Sequence, residues 1–566
     1  MKYLVKSKRR IIGIIVLAAV IMVGFSKKDD FKITRSLDIY YSLFRELNIF
    51  YVDEVNPEKL VETSIESMLE SLDPYTKYIP EKEMDDFEFM TTGNYGGIGA
   101  LIRKEGDYAI ISQPYKDFPA DKSGLKAGDV LKKINGESIK GWKLEEVSDK
   151  LKGIPETTVK LTIERMDQQE PLQKEVVRQD LHINSVPYYG MTDPEQGVGY
   201  IRLTKFTQGS GQEVRTAFSR LKSNNEMNAV VLDLRSNPGG LLMEAVNVAN
   251  IFVPMGKEIV STQGRVEKWN QSYATQKQPL DTNIRLIVLV NRASASASEI
   301  VAGAIQDLDR GVVVGKRTFG KGLVQATRPL SYNSKLKVTT AKYYIPSGRC
   351  IQAKDYSNRN EDGSVGEVPD SLIQEFTTAN GRKVYDGGGI RPDVEVDHGD
   401  LSQIEISLIT KNLIFDFATH YALNNDTIPP VEKWEVDDQT YASFRTFLKG
   451  KEWDYTTESE EKLKELVETA KEEQYYERAE ATLEELGKKL SHNKQNDLER
   501  YKESIKARLE EEIASRYYYQ KGGIKAGLED DGQVEKALSL ATDTSRYRAI
   551  LSGAYQRDNI QNVKGD

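Results

Sequence analysis

The chain has 566 residues, of which 39% are hydrophobic and 29% charged, with a formal net charge of -9. Roughly three to five domains are expected at that length, in a globular bulk rather than a membrane-embedded one. Acidity without a basic block argues against a nucleic-acid partner, which would need clustered Lys and Arg. The four histidines, His182, His398, His420 and His492, stand in no G-x-S-x-G or H-E-x-x-H context. The single cysteine, Cys350, can form neither an internal disulfide nor a Cys-based metal site. A His-based triad and a zinc hydrolase thus lack local support, and no metal or cofactor is implied.

Residues 1–28 stand apart. Lys2, Lys6, Lys8, Arg9 and Arg10 precede an uncharged apolar run from Ile11 to Phe25, a basic n-region followed by an h-region. The run is short for a relaxed membrane span but long for a simple signal peptide, and no A-x-A site follows. The reading leans towards an uncleaved anchor that leaves the rest of the chain on the periplasmic side of the inner membrane.

Residues 29–90 read as a helical part. Leu37, Tyr40, Tyr41, Phe44 and Leu47 follow helical spacing, and Asn56-Pro57 offers an N-cap and a first-turn proline for a second helix, which Asp73-Pro74 stops. Residues 91–185 change to short strands. Gly96-Gly97-Ile98-Gly99-Ala100, the Ser123–Val130 block with its Gly-Asp pair, the Ile134-Asn135-Gly136 turn and a helix starting near Lys143 resemble a PDZ domain. In such a domain the loop here carried by Gly97, Ile98 and Gly99 holds a peptide's terminal carboxylate, and the peptide adds as a strand to the sheet edge.

Residues 186–400 read as α/β. A strand over Gly199–Leu203 precedes a helix with Val214, Phe218 and Leu221. A buried strand, Ala229–Leu234, then runs into Arg235-Ser236-Asn237-Pro238-Gly239-Gly240 and a helix, Leu241–Phe252. Glycines between a strand end and a helix N-terminus leave backbone N–H groups able to stabilise an oxyanion. The apolar run Ile284–Val290 repeats this arrangement, ending in Ser294-Ala295-Ser296-Ala297-Ser298-Glu299, after which Ile300, Ala304 and Leu308 mark a helix. A serine there meets the positive end of a helix dipole. After the strand Val312–Val314 comes Thr318-Phe319-Gly320-Lys321-Gly322, with Gln325 four residues past the lysine. A lysine led inward between two glycines is desolvated towards its neutral form, and serine with neutral lysine makes a nucleophile without histidine. Spacing alone does not separate Ser294, Ser296 and Ser298. Two weaker signals fail: Gly311–Thr318 has the wrong spacing for a P-loop, and Cys350 has only Arg349 beside it.

Residues 401–566 are helical and charged. Leu463, Leu466, Val467 and Ala470 form one stripe, Leu498, Tyr501, Ile505 and Leu509 another, with breaks expected at Gly487 and 491–493. The region reads as a packing or dimerisation appendage, with adaptor binding as the alternative.

Taken together, Leu72-Asp73-Pro74-Tyr75, Gly97-Ile98-Gly99, the Ser123–Val130 block, Asp233-Leu234-Arg235 with Asn237-Pro238-Gly239-Gly240, the Ser294–Glu299 run and Phe319-Gly320-Lys321-Gly322 resemble the C-terminal processing peptidases, or tail-specific proteases. The resemblance implies a crotonase/Clp-protease-like α/β core with an inserted PDZ domain, an N-terminal helical part and a C-terminal helical region. It implies Ser296 as nucleophile, Lys321 as base, Gln325 positioning the lysine, and Ala297 with Gly239 or Gly240 as oxyanion donors. Glu299 falls on an acidic supporting position. The expected substrates are proteins with small or apolar C-termini. A non-catalytic envelope scaffold would be missing the serine or the lysine, and an acyl-CoA enzyme of the crotonase type would explain neither the PDZ-like block nor the export segment.

Overall fold

The computed structural model describes residues 30–360, 363–397, 401–490 and 494–554. The 1–28 segment, His398 and His492 lie outside the described residues. Two compact units divide after Tyr78. In the first, the chain is helical from 30 to 50 and over Pro57–Glu70. Asn56 Oδ1 caps the second helix by accepting the Lys59 N–H at 3.1 Å, and Pro57 takes a first-turn position whose N–H needs no partner. Asp73 then turns the chain, its carboxylate accepting the Tyr75 and Thr76 N–H groups, both at 2.8 Å. Among the described residues, no helix is long and apolar enough to cross a membrane.

In the second unit, helix Met84–Thr92 leads into a ribbon in which Asn94–Gly97 pairs antiparallel with Gln179–His182. Everything between the ribbon's strands is the PDZ-like region. Its sheet runs Ala100–Glu105, Tyr108–Pro114, Val130–Ile134, Thr158–Glu164, Leu172–Val177, with Ala100–Glu105 at one edge. Ala109, Ile111, Leu131, Val159, Leu161 and Ile163 fill its core with Val147 of helix Leu144–Leu151. The acidic residue of the Gly-Asp block, Asp129, is fully buried. It receives Arg165 Nε at 2.7 Å and Nη2 at 2.8 Å, and the Lys126 N–H at 2.8 Å. A buried carboxylate is tolerated only when paired this fully.

The remaining core is a six-stranded sheet ordered β1 (Tyr188–Asp193), β2 (Val198–Arg202), β3 (Ala229–Asp233), β4 (Arg285–Val290), β5 (Val312–Gly315) and β6 (Val394–Glu395). The first pair is antiparallel and the others parallel. The central strands are apolar on both faces, as a parallel sheet covered on both sides requires. One face packs on α1 (Ser210–Asn224), α2 (Leu242–Ala249) and α3 (Ala297–Asp307). The other face, including Tyr200, Val231, Leu289 and Val314, packs on Val534, Ala537, Leu540, Tyr547 and Ile550 of α4 (Gly532–Thr542) and α5 (Thr544–Leu551). A second sheet, formed by Glu258–Gln263, Gln271–Ala274, Leu323–Pro329 and Lys335–Tyr344, lies against α2 and α3 in the same core.

The C-terminal helical region therefore has three fates. Helices Gln403–Thr410, Leu413–Asn424, Asp438–Phe447, Lys494–Arg500 and Lys502–Ala526 gather around Leu408, Phe417, Phe444, Leu498, Ile505 and Leu509. Glu458–Glu472, with the Leu463–Ala470 stripe, and Tyr476–Leu490 bury no residue and pair with each other. Residues 532–551 cover the sheet. Gly487, expected as a break, lies within the helix Tyr476–Leu490. A Cβ there would stand 3.5 Å from Leu463 Cδ2 of the neighbouring helix, an ordinary van der Waals contact, so the position would accept alanine and the glycine does not interrupt the helix.

Candidate active site

β4 ends at Val290 and α3 starts at Ala297, and Ser296 joins them with φ 56° and ψ -115°. A non-glycine residue in this region carries strain of about 1–3 kcal/mol, of the kind found where a nucleophile is held at a sharp strand-to-helix turn. The three serines, equivalent by spacing, separate by their partners. Ser294 Oγ donates to Leu234 O at 2.8 Å and Ser298 Oγ to Asn237 O at 2.9 Å, both buried. The Ser296 hydroxyl makes no capping hydrogen bond and is half-buried at the helix N-terminus.

One carboxylate organises the site. Glu299 is fully buried, and its Oε2 accepts the N–H of Ser296 at 2.8 Å and of Lys321 at 2.9 Å. Its Oε1 accepts Thr318 Oγ1 at 2.6 Å and the Gly320 N–H at 2.7 Å. Burial pushes the Glu299 carboxyl up to about 7, against those four hydrogen bonds, which pull it down. On the other side, the buried Tyr343 hydroxyl is shared between the carbonyls of Ser296, at 3.2 Å, and Lys321. Ser296 and Lys321 are thus tied through their backbones to the same acid and the same phenol. The lysine's flanking glycines permit close approach: a Cβ on Gly320, at φ +86°, would stand 2.4 Å from Ala353 Cβ. Gln325 lies two residues beyond the start of its strand, with Nε2 donating to Leu323 O and Thr339 Oγ1, each at 3.2 Å.

The turn after β3 comes against this loop. Asn237 O accepts the Ala295 N–H at 3.0 Å, and a Cβ on Gly239 would fall 2.8 Å from both Ala297 N and Ser296 Cβ. The two glycines differ in their donors. The Gly239 N–H donates to Asn237 Oδ1 at 2.9 Å. Gly240 forms a parallel bridge with Phe206, in which Phe206 N–H donates to Gly239 O at 3.0 Å and Leu241 N–H to Phe206 O at 2.8 Å. In that pattern the Gly240 N–H points away from Phe206, and among the described residues it has no acceptor. Gly97, Ile98 and Gly99 lie apart from this centre. Of the three, Ile98 lines a groove of about 360 Å³ together with Ala100–Ile102 of the edge strand, residues of helix Leu144–Leu151, Phe89, Tyr95 and Tyr115. Burial pushes the Tyr95 hydroxyl up to about 12, so it enters the groove as a neutral donor.

Tyr343 and Thr318 were not singled out by sequence reasoning. Thr318 lies next to the Phe-Gly-Lys-Gly motif, but Tyr343 comes from a distant strand and only the fold reveals it. Cys350 is kept from reactivity by burial, which raises its thiol. Among the described residues, no group of His, Cys, Asp and Glu is placed to hold a metal ion.

A strained serine at a helix N-terminus, joined to a lysine by one buried acid in an α/β core, defines a serine-type peptidase, here carrying a PDZ domain. Residues 197–362 match the model of peptidase family S41, residues 88–164 that of the PDZ domain, and residues 404–541 that of the C-terminal helical domain of a probable PDZ-protease. The carboxy-terminal-processing protease of Bartonella bacilliformis is 36% identical over 344 residues, covering 60% of this chain and 76% of that protein. A probable CtpA-like serine protease of Staphylococcus aureus is 36% identical over 363 residues, covering 61% of this chain and 70% of that one. The chain belongs to the carboxy-terminal-processing proteases of family S41. Among solved structures it is similar to the photosystem II D1 C-terminal processing protease, 27% identical over 63% of this chain and 92% of that one, with a TM-score of 0.34.

Proposed function

We propose that this protease is exported and works through a Ser296–Lys321 dyad on the C-terminal regions of proteins. The observation that carries the reading is the single Glu299 carboxylate holding the backbones of both residues. Neutral Lys321 takes the Ser296 proton as Oγ attacks the scissile carbonyl. The protonated lysine then delivers that proton to the leaving amine, and water hydrolyses the acyl-enzyme by the reverse route. The tetrahedral oxyanion is received by the N–H groups of Ala297 and Gly240. Gly240 is preferred over Gly239 because the latter's N–H already serves Asn237. Gln325 braces the start of the strand that follows Lys321, through Leu323 and Thr339. The groove beside Gly97–Gly99 takes the substrate's terminal carboxylate, with small or apolar last residues suited to its Ile98, Ala100 and Leu151 lining. Residues 1–28 hold the enzyme at the periplasmic face of the inner membrane.

The test is cleavage of an unstructured protein with an apolar C-terminus by wild type, Ser296→Ala and Lys321→Ala. Loss in both variants with tail binding intact supports the dyad. Cleavage surviving in Ser296→Ala rejects it. Membrane fractionation of the full chain against one starting at residue 29 tests the anchor: release of both forms alike would remove it.

A further inference from the structure

The helix α4 begins at Asp531, whose two carboxylate oxygens are divided between two tasks. Oδ1 caps α4, accepting the N–H of Gln533 at 2.9 Å and of Val534 at 3.1 Å. Oδ2 accepts Arg235 Nη1 at 2.5 Å, and Gln533 Oε1 takes the same nitrogen at 3.1 Å. Arg235 stands two residues before Asn237 in the turn that brings Gly239 and Gly240 to Ser296. Its Nη2 and Nε grip the fully buried Asp233 at 2.7 and 3.0 Å, and its own N–H donates to Asp233 Oδ1 at 2.8 Å. Arg202 joins the block, donating to Asp233 Oδ2 at 2.5 Å and to the Arg235 carbonyl at 3.1 Å.

Two carboxylates thus balance two guanidiniums in a buried cluster, and one of the carboxylates is supplied by the C-terminal helical region. Opposite charges are needed in such a place: removing one partner leaves an uncompensated buried charge. The turn's other moorings, the Ser236 N–H on Asn291 Oδ1 at 2.9 Å and Asn237 Nδ2 on Leu203 O at 2.9 Å, lie on the catalytic side. Asp531 holds the turn from the opposite face of the sheet.

We propose that Asp531 is a positioning residue for catalysis, fixing through Arg235 the turn whose Gly240 N–H receives the oxyanion. The C-terminal helical region is then a component of the active site's support, not an appendage. This rests on the oxyanion reading given above.

The test compares full-length wild type, Asp531→Asn and Tyr547→Phe. Asparagine keeps an oxygen for the α4 cap but removes the charge facing Arg235. Tyr547→Phe loosens the same C-terminal segment by deleting hydroxyl bonds to Leu286 N at 3.0 Å and Leu286 O at 3.2 Å, far from the turn. The readouts are kcat and KM on a tail peptide, melting temperature, and hydrogen exchange of the amides in residues 234–241. Asp531→Asn should lower kcat about tenfold or more with KM little changed, since oxyanion donors act on the transition state. It should also speed exchange in the turn. Tyr547→Phe should lower the melting temperature and leave kcat and the turn's protection alone. Unchanged kcat and protection in Asp531→Asn would overturn the coupling, as would parallel losses in both variants tracking only stability. A wild type that binds the peptide but never cleaves it would overturn the oxyanion reading itself, before any variant is compared.

Discussion

Replacing Glu299 with glutamine tests the organisation of the active site most directly. Its carboxylate takes four donors: Ser296 N at 2.8 Å, Lys321 N at 2.9 Å, Gly320 N at 2.7 Å and Thr318 Oγ1 at 2.6 Å. An amide offers one accepting oxygen, and its NH2 would face two of the donors whichever way it turned. Each lost charge-assisted bond is worth about 1.5–3 kcal/mol, so two amount to about 3–6 kcal/mol. If about 3 kcal/mol of that reaches the barrier, through displaced serine or lysine, cleavage slows by about 100-fold. The assay is kcat/KM on a tail peptide, with melting temperature and tail affinity measured on the same protein. A Glu299→Gln enzyme within about threefold of wild type in rate, equally stable, would refute the argument that this acid aligns the pair. The same group sets a pH dependence. Burial raises its pKa from 4.5 to about 7, so the folded state holds the proton more tightly than the unfolded state. Its contribution to stability is full below about 4.5 and falls by about 3 kcal/mol as pH rises through about 7. Cleavage, which needs the four-fold acceptor, should rise over that interval. Opposite slopes of stability and activity, both lost in Glu299→Gln, are the expected signature; parallel slopes would contradict it.

Gly239→Ala should abolish most activity, because its Cβ would stand 2.7 Å from Ala295 O and 2.8 Å from Ala297 N at a φ of +95°; a rate near wild type would show that the turn can retreat without harm. Tyr343→Phe removes the hydroxyl shared by the Ser296 and Lys321 carbonyls and should reduce kcat about tenfold, the equivalent of one hydrogen bond of about 1–1.5 kcal/mol, without changing tail affinity. Asp129→Asn leaves Arg165 without its buried counter-charge and should destabilise the PDZ domain by about 3–5 kcal/mol, read as lost tail binding and an early melting transition.

Much of this architecture was legible because local chemistry and global fold agree. The strand-to-helix junctions at Gly239 and Ser296, the Asn56 cap and the Gly-Asp block of the PDZ domain all announce themselves within a few residues. The choice among Ser294, Ser296 and Ser298 did not, since it depends on carbonyls of Leu234 and Asn237 brought in from another strand. Tyr343 was silent for the same reason. The helices at 532–551 were indistinguishable from their neighbours because an apolar stripe shows that a helix is buried, not what buries it. Gly487 misled because a single glycine costs a helix only about 1 kcal/mol, which the flanking Glu, Leu and Lys residues of Tyr476–Leu490 tolerate.

Among the described residues, the second face of the sheet is covered chiefly by α4 and α5, with Ile524 and Leu528 packed beside them, and these follow the last sheet strand by most of the C-terminal helical domain. During synthesis the strands therefore wait, apolar on one side, until residues 532–551 arrive. The sheet should not reach its full packing until those last helices are made. A chain cut short before residue 532 would leave that apolar face bare, so the order of the sequence makes its last helices the closing step of the core.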